Sequence, residues 1–157
     1  MAKKNSAPPS GDVKLDAIYL HRVQLERLGA WPEGQEELDV SIKWGIGAVL
    51  LANGQLGVEL GVKVEHEDMV ALEVAYRMEL SAAAEIPAKP GVEAFWRNAA
   101  ARVAPIIAVP YIRETVHSLT GRALNESVLL PIANYGAYFK PEVIPLTFEI
   151  EAEVAAE

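Results

Sequence analysis

Cysteine is absent from the 157-residue chain, which removes disulfides, thiolate catalysis and cysteine-held zinc or iron–sulfur centres from consideration. Histidine is scarce, and His21, His66 and His117 stand far apart. No apolar run reaches the ~20 residues of a membrane span, and no apolar core follows the start Met1-Ala2-Lys3-Lys4-Asn5. The expectation is a soluble, cytoplasmic chain with no direct membrane insertion. Positive charge is also short: the formal net charge is −8 and the isoelectric point about 4.9. That balance opposes a phosphate backbone, so nucleic acid is not an expected partner and a basic surface suits better. Plain solubility accounts for the same charge equally well.

Catalytic signatures are missing too. Gly45-x-Gly47 lacks the third glycine and following helix of a dinucleotide fingerprint, and no phosphate-binding loop motif occurs. His117 and Ser118 are adjacent on a predicted helix and point apart, so they form no nucleophile–base pair. Asn125-Glu126-Ser127 matches a glycosylation sequon by chance in a chain with no secretory signal. We expect no enzyme, no catalytic residue, no metal and no cofactor.

Half of the residues are apolar (51%) and 23% are charged, the balance of a folded domain. Residues 1–12 are polar and Pro/Gly-bearing and read as a disordered tail. From Val13 the period is two: Val13, Leu15, Ala17, Tyr19, Val23 and Leu25 share one strand face, with His21 among them as a core or interface histidine. Lys14, Asp16, Ile18, Leu20, Arg22, Gln24 and Glu26 take the other face. After the Gly29-to-Gly34 break, Leu38, Val40, Ile42, Trp44, Ile46 and Ala48 alternate in a second strand. Asn53-Gly54 then marks a hairpin to a third strand with Leu56, Val58, Leu60, Val62 and Val64 on one face. A fourth places Val70, Leu72, Val74, Tyr76, Met78 and Leu80 opposite Ala71, Glu73, Ala75, Arg77 and Glu79. These predict a four-stranded antiparallel sheet in meander order.

Residues 93–104 read as a helix with Phe95, Ala99 and Val103 on its apolar stripe. Pro105 and Pro110 predict a kink or restart before Tyr111–Thr120, with Gly121 as the C′ stop. Val128 to Tyr135 is an extended apolar loop, continued by Tyr138 and Phe139, and Leu146, Phe148 and Ile150 alternate in a final extended stretch before an acidic tail. The loop aromatics, with Trp31 and Trp44, suit core or interface as well as a ligand surface. The second strand is apolar on parts of both faces, and only one face can meet its own core.

Two segments carry a resemblance. Ile106-Ile107-Ala108-Val109-Pro110-Tyr111-Ile112-Arg113-Glu114 resembles the apolar-Pro-Tyr-x-Arg-Glu helix of the SecB family of protein-export chaperones. Leu129-Leu130-Pro131-Ile132-Ala133-Asn134-Tyr135 is similar to that family's leucine-rich segment after the helix, at about the right interval. The resemblance spans roughly Val13 to Tyr138. It implies an α+β fold, with a four-stranded antiparallel sheet carrying a long proline-kinked helix on one face, assembled as a homotetramer that is a dimer of dimers. The domain then covers residues 13–140, with 141–157 an extended C-terminal segment and acidic tail.

The function implied is ATP-independent holding of unfolded precursor proteins for delivery to the SecA ATPase. Client-binding residues would be Ile42, Trp44 and Ile46 of the second strand with Leu129, Leu130, Tyr135, Tyr138 and Phe139. SecA-facing residues would be Glu26 and Glu73, with Arg22 where the family commonly has an acid and Ala71 where it often has a larger apolar side chain. The missing C-terminal helix pattern, broken by Pro141 and Pro145, also suits a dedicated SecB-like chaperone for one partner such as an antitoxin. A purely structural oligomer is the remaining alternative.

Overall fold

The computed structural model describes residues 13–30, 39–83, 91–131, 134–135 and 137–149. The tail expected over residues 1–12, Trp31, Ile132, Ala133, Ile150 and the acidic end lie outside the described residues.

Strands β1 (Val13–Arg27), β2 (Ser41–Leu50), β3 (Leu56–His66) and β4 (Val70–Ala82) precede helices α1 (Gly91–Asn98) and α2 (Ala104–Leu124) and a short β5 (Leu146–Phe148). Strict alternation in β2, β3 and β4 does what period two dictates. Leu56, Val58, Leu60, Val62 and Val64 of β3 and Leu72, Val74, Met78 and Leu80 of β4 are all buried on one face. The Asn53-Gly54 hairpin forms, with Gly54 at φ +84° and the Leu51 amide donating to the Gln55 carbonyl at 2.8 Å.

The sheet order is β1-β4-β3-β2-β5. The meander therefore holds from β2 to β4, but β1 joins the far side of β4 rather than standing beside β2. Its 15 residues match the 13 of β4 better than the ten of β2, and the connection to β2 is long enough to cross the sheet. The C-terminal stretch adds a fifth strand parallel to β2, pairing Ala48 with Leu146 and Leu50 with Phe148.

Two β-bulges change the reading of β1. The register slips between Leu15 and Ala17 and again between Leu20 and Arg22, leaving Asp16 and His21 as the extra residues. Between the bulges the predicted faces are exchanged: Ile18 and Leu20 lie opposite core-facing Met78 and Tyr76, while Ala17 and Tyr19 lie opposite outward Glu79 and Arg77. His21 is exposed rather than packed in core, with Nε2 3.5 Å from Glu59.

The helical segment covers the core-facing side of β3 and β4. Its inner face is mostly alanine, with Ala99, Ala100, Ala101, Ala104 and Ala108 at most 4% exposed, so the backbone sits close to the sheet. A π-helical turn at Ala99–Val103 joins α1 to α2 and absorbs Pro105, since its wider turn moves the preceding carbonyls away from the proline ring. Pro110 lies within α2. Gly121 is not the stop. The helix runs on to Leu124, and Asn125 takes the left-handed position at φ +58°. Glycine at 121 answers a close approach instead, because a Cβ there would stand 2.7 Å from Ser127 Oγ.

Candidate functional site

In β2, every second residue turns its N–H and C=O away from β3. Ala48 donates to the Pro145 carbonyl at 2.9 Å, and the Leu50 carbonyl accepts from Glu149 at 2.9 Å, so even-numbered residues face the β5 side. β5 pairs no lower than Ala48. Below it, Ile46, Trp44 and Ile42 present backbone groups with no hydrogen-bond partner along that edge among the described residues. The cause lies in the C-terminal chain: Ile144 is buried, Arg97 donates to its carbonyl, and the 3₁₀ turn Pro141–Val143 packs against α1.

Beside this open edge stands an aromatic row. The Trp44 and Tyr135 rings are 5.0 Å apart, Tyr135 and Tyr138 5.9 Å, and Tyr138 and Phe139 5.0 Å. Tyr138 is 58% exposed and Leu129 69%, whereas Leu130, Tyr135 and Phe139 are buried. Of the eight residues expected to contact a client, Leu130, Tyr135 and Phe139 are thus committed to the core. Ile42, Trp44 and Ile46 are half-buried, and Leu129 and Tyr138 offer most of the free surface.

The loop that supplies these side chains is pinned by three contacts. Arg113 Nε donates to the Leu130 carbonyl at 3.1 Å, Tyr135 Oη donates to the Pro131 carbonyl at 3.0 Å, and the Val128 amide donates to Thr120 Oγ1 at 2.7 Å. Burial pushes the Tyr135 hydroxyl above its usual pKa, with the Arg113 charge opposing, so the ring stays neutral.

On the opposite face of the sheet, Glu26 pairs across strands with Ala71, Gln24 with Glu73, and Arg22 with Ala75. Glu26, Ala71 and Glu73 line one hollow of about 170 Å³ together with Glu65 and Lys63. Arg22 does not stand there as a free cation. It bonds Glu59 at 2.7 Å and Glu73 at 3.0 Å.

No protein-family model matches the chain, and no curated protein matches it by sequence. A solved structure does: the Mycobacterium tuberculosis SecB-like chaperone Rv1957, in complex with a ChAD peptide from the antitoxin Rv1956 HigA1, aligns at a TM-score of 0.64. Identity is 19%, over 79% of this chain and 89% of that one. The fold is SecB-like. A protein of unknown function from Streptococcus agalactiae also aligns, at a TM-score of 0.49 and 9% identity over 77% of this chain and 98% of its own.

Within this SecB-like fold the sequence reading overlooked two groups. Val143 (72% exposed) and Phe148 (52%) place further apolar surface on the segment that includes β5, and only exposure after folding reveals them. Lys43, Lys63 and Arg77 line the outer sheet face, where alternation made them look like an ordinary solvated surface.

Proposed function

We propose that this chain is an ATP-independent holdase chaperone that captures extended polypeptide along the open edge of β2. One coincidence carries the reading: Ile42, Trp44 and Ile46 combine backbone groups that are unpaired among the described residues with half-buried apolar side chains next to exposed Tyr138. An extended client segment would hydrogen-bond as an added strand and bury alternate side chains. Each such side chain contributes ~1.5–3 kcal/mol, much of it offset by ordering the client. Retention then depends on several edges of one cytoplasmic homotetramer holding one chain. The uncovered apolar residues of β1 and α2, Leu20, Val23, Ile106 and Tyr111, supply surface for that assembly.

We place the protein as a dedicated chaperone rather than a general one. The complex of Rv1957 with an antitoxin peptide supports this choice, as does the neutralisation of Glu73 by Arg22. The test compares clients. A dedicated chaperone retains one partner and protects a chemically unfolded, unrelated protein poorly, while strong general protection would overturn that choice. N-methylating alternate amides of a bound client peptide should abolish binding for one set of positions only; equal tolerance of both sets would exclude strand addition.

Delivery of precursors to a SecA-type ATPase is the second reading, favoured by the clustering of Glu26, Glu65 and Glu73 round Ala71. On that reading Arg22→Asp strengthens salt-sensitive SecA binding and Glu73→Lys abolishes it, with client binding unchanged. Indifference to both substitutions would remove this docking face.

A further inference from the structure

We propose that the concave outer face of β2, β3 and β4 docks an extended acidic segment of a partner protein. The proposal does not depend on client capture at the β2 edge. The trough is about 650 Å³ and lies over Gly45, Gly47, Gly57 and Gly61. Gly45 and Gly61 are direct cross-strand partners, so the floor is bare backbone at that point. Strand glycines lose stability through entropy and missing contacts. At Gly45 and Gly47 the chain's own packing does not demand glycine, since an added Cβ would meet nothing within 4 Å. A second backbone lying flat on the floor does demand it.

The rim has the opposite sign to the molecule. In a chain of net charge −8, the trough gathers Arg22, Lys43, Lys63 and Arg77 against Glu59 and Glu73. Both carboxylates are held by Arg22, at 2.7 Å and 3.0 Å. Lys43 and Lys63 stand directly opposite one another as a like-charge pair, and Lys63 faces Glu73 on its other side, a carboxylate that Arg22 already bonds. Neither lysine nor Arg77 has an ion-pair partner among the described residues. Arg77 shares its register with Glu59 and Gly47, four residues along β2 from Lys43. At roughly 3.3 Å per residue this separates the two cationic ends by about 13 Å along the strands. Carboxylates four residues apart on an extended chain span the same distance.

The test is fluorescence anisotropy of a labelled extended peptide with two glutamates four residues apart, titrated with the full chain at low salt. The glutamate peptide is expected to bind at least about tenfold tighter than its glutamine counterpart, and to weaken as salt rises. Lys43→Gln with Lys63→Gln should cost about tenfold in affinity. Gly45→Val with Gly47→Val should abolish binding while the thermal midpoint holds or rises, because valine suits a strand better than glycine. Equal binding of the glutamine peptide, or undiminished binding by the folded valine variant, overturns the proposal. So does tighter binding of a single-stranded oligonucleotide. A tenfold gain in peptide affinity on removing residues 150–157 would assign the trough to the chain's own acidic end, and loss of the oligomer in the valine variant would assign it to a second copy.

Discussion

Arg113 donates from Nε to the carbonyl of Leu130 at 3.1 Å and so joins the two segments on which the family resemblance rests. One lies on α2 and the other in the loop after it, so the motif residues are parts of one clamp. The clamp holds the chain that brings Tyr135 against Trp44.

Arg113→Met should therefore loosen the loop and cost about 1.5–3 kcal/mol in urea unfolding, the range for a hydrogen bond that involves a charged group. Lysine should not restore it fully, because a compact ammonium lacks the guanidinium fork. Wild-type stability in the methionine variant would show that the loop is held by its other contacts alone.

Tyr138 and Phe139 are neighbours with opposite duties. Tyr138→Ala is expected to weaken capture of an unfolded client several-fold while changing stability by less than about 0.5 kcal/mol, as for an exposed position. Phe139, 9% exposed, should cost about 3 kcal/mol or more as alanine. Calorimetry on both variants beside a client-binding assay separates these effects, and a Tyr138→Ala protein with unchanged capture would count against the aromatic row.

The exposed apolar surface of β1 predicts assembly. Light scattering should give about 68 kDa, four copies of a 17.0 kDa chain. Leu20→Asp with Val23→Asp places charge on that surface and should shift the mass towards smaller species. A wild-type monomer at micromolar concentration would remove the multivalent mechanism as well.

Asp16 predicts a pH dependence. Hydrogen bonding from Ser81 holds its carboxyl below the ordinary 3.8, with burial opposing and Gln55 and Lys14 adding to the lowering. Gln55 Nε2 donates to it at 2.8 Å, tying the first bulge of β1 to the β2–β3 hairpin. A depressed folded pKa gives stability that is present above 3.8 and lost as pH falls through the folded value. Asp16→Asn should flatten stability against pH in that window, and an unchanged acid limb would show that the charged form contributes nothing there.

Where strands pair regularly, the sequence was legible. The inward faces of β2, β3 and β4 follow from alternation because no bulge interrupts them. β1 misled between Leu15 and Arg22, since a bulge adds a residue without a local mark in composition. Gly121 misled for a different reason: a glycine that admits a neighbouring loop looks the same in sequence as one that ends a helix. The candidate site was half visible. Ile42, Trp44 and Ile46 stood out as apolar, but their open backbone edge depends on where β5 stops, which a residue about a hundred positions later decides. Leu130 and Phe139 could not be told from Leu129 and Tyr138 because loop residues have no period to sort them.

The two bulges also bear on how this strand tolerates changes in length. Taking one residue out of an ordinary strand turns everything beyond it inside out. Asp16 and His21 are surplus to the ladder, so removing either leaves the facing of its neighbours intact and straightens the strand. Removal of Ile18, Tyr19 or Leu20 would carry apolar residues from the core side to solvent. β1 is thus a strand whose length can shrink without inversion at those two positions, and a shorter relative should show its gaps there.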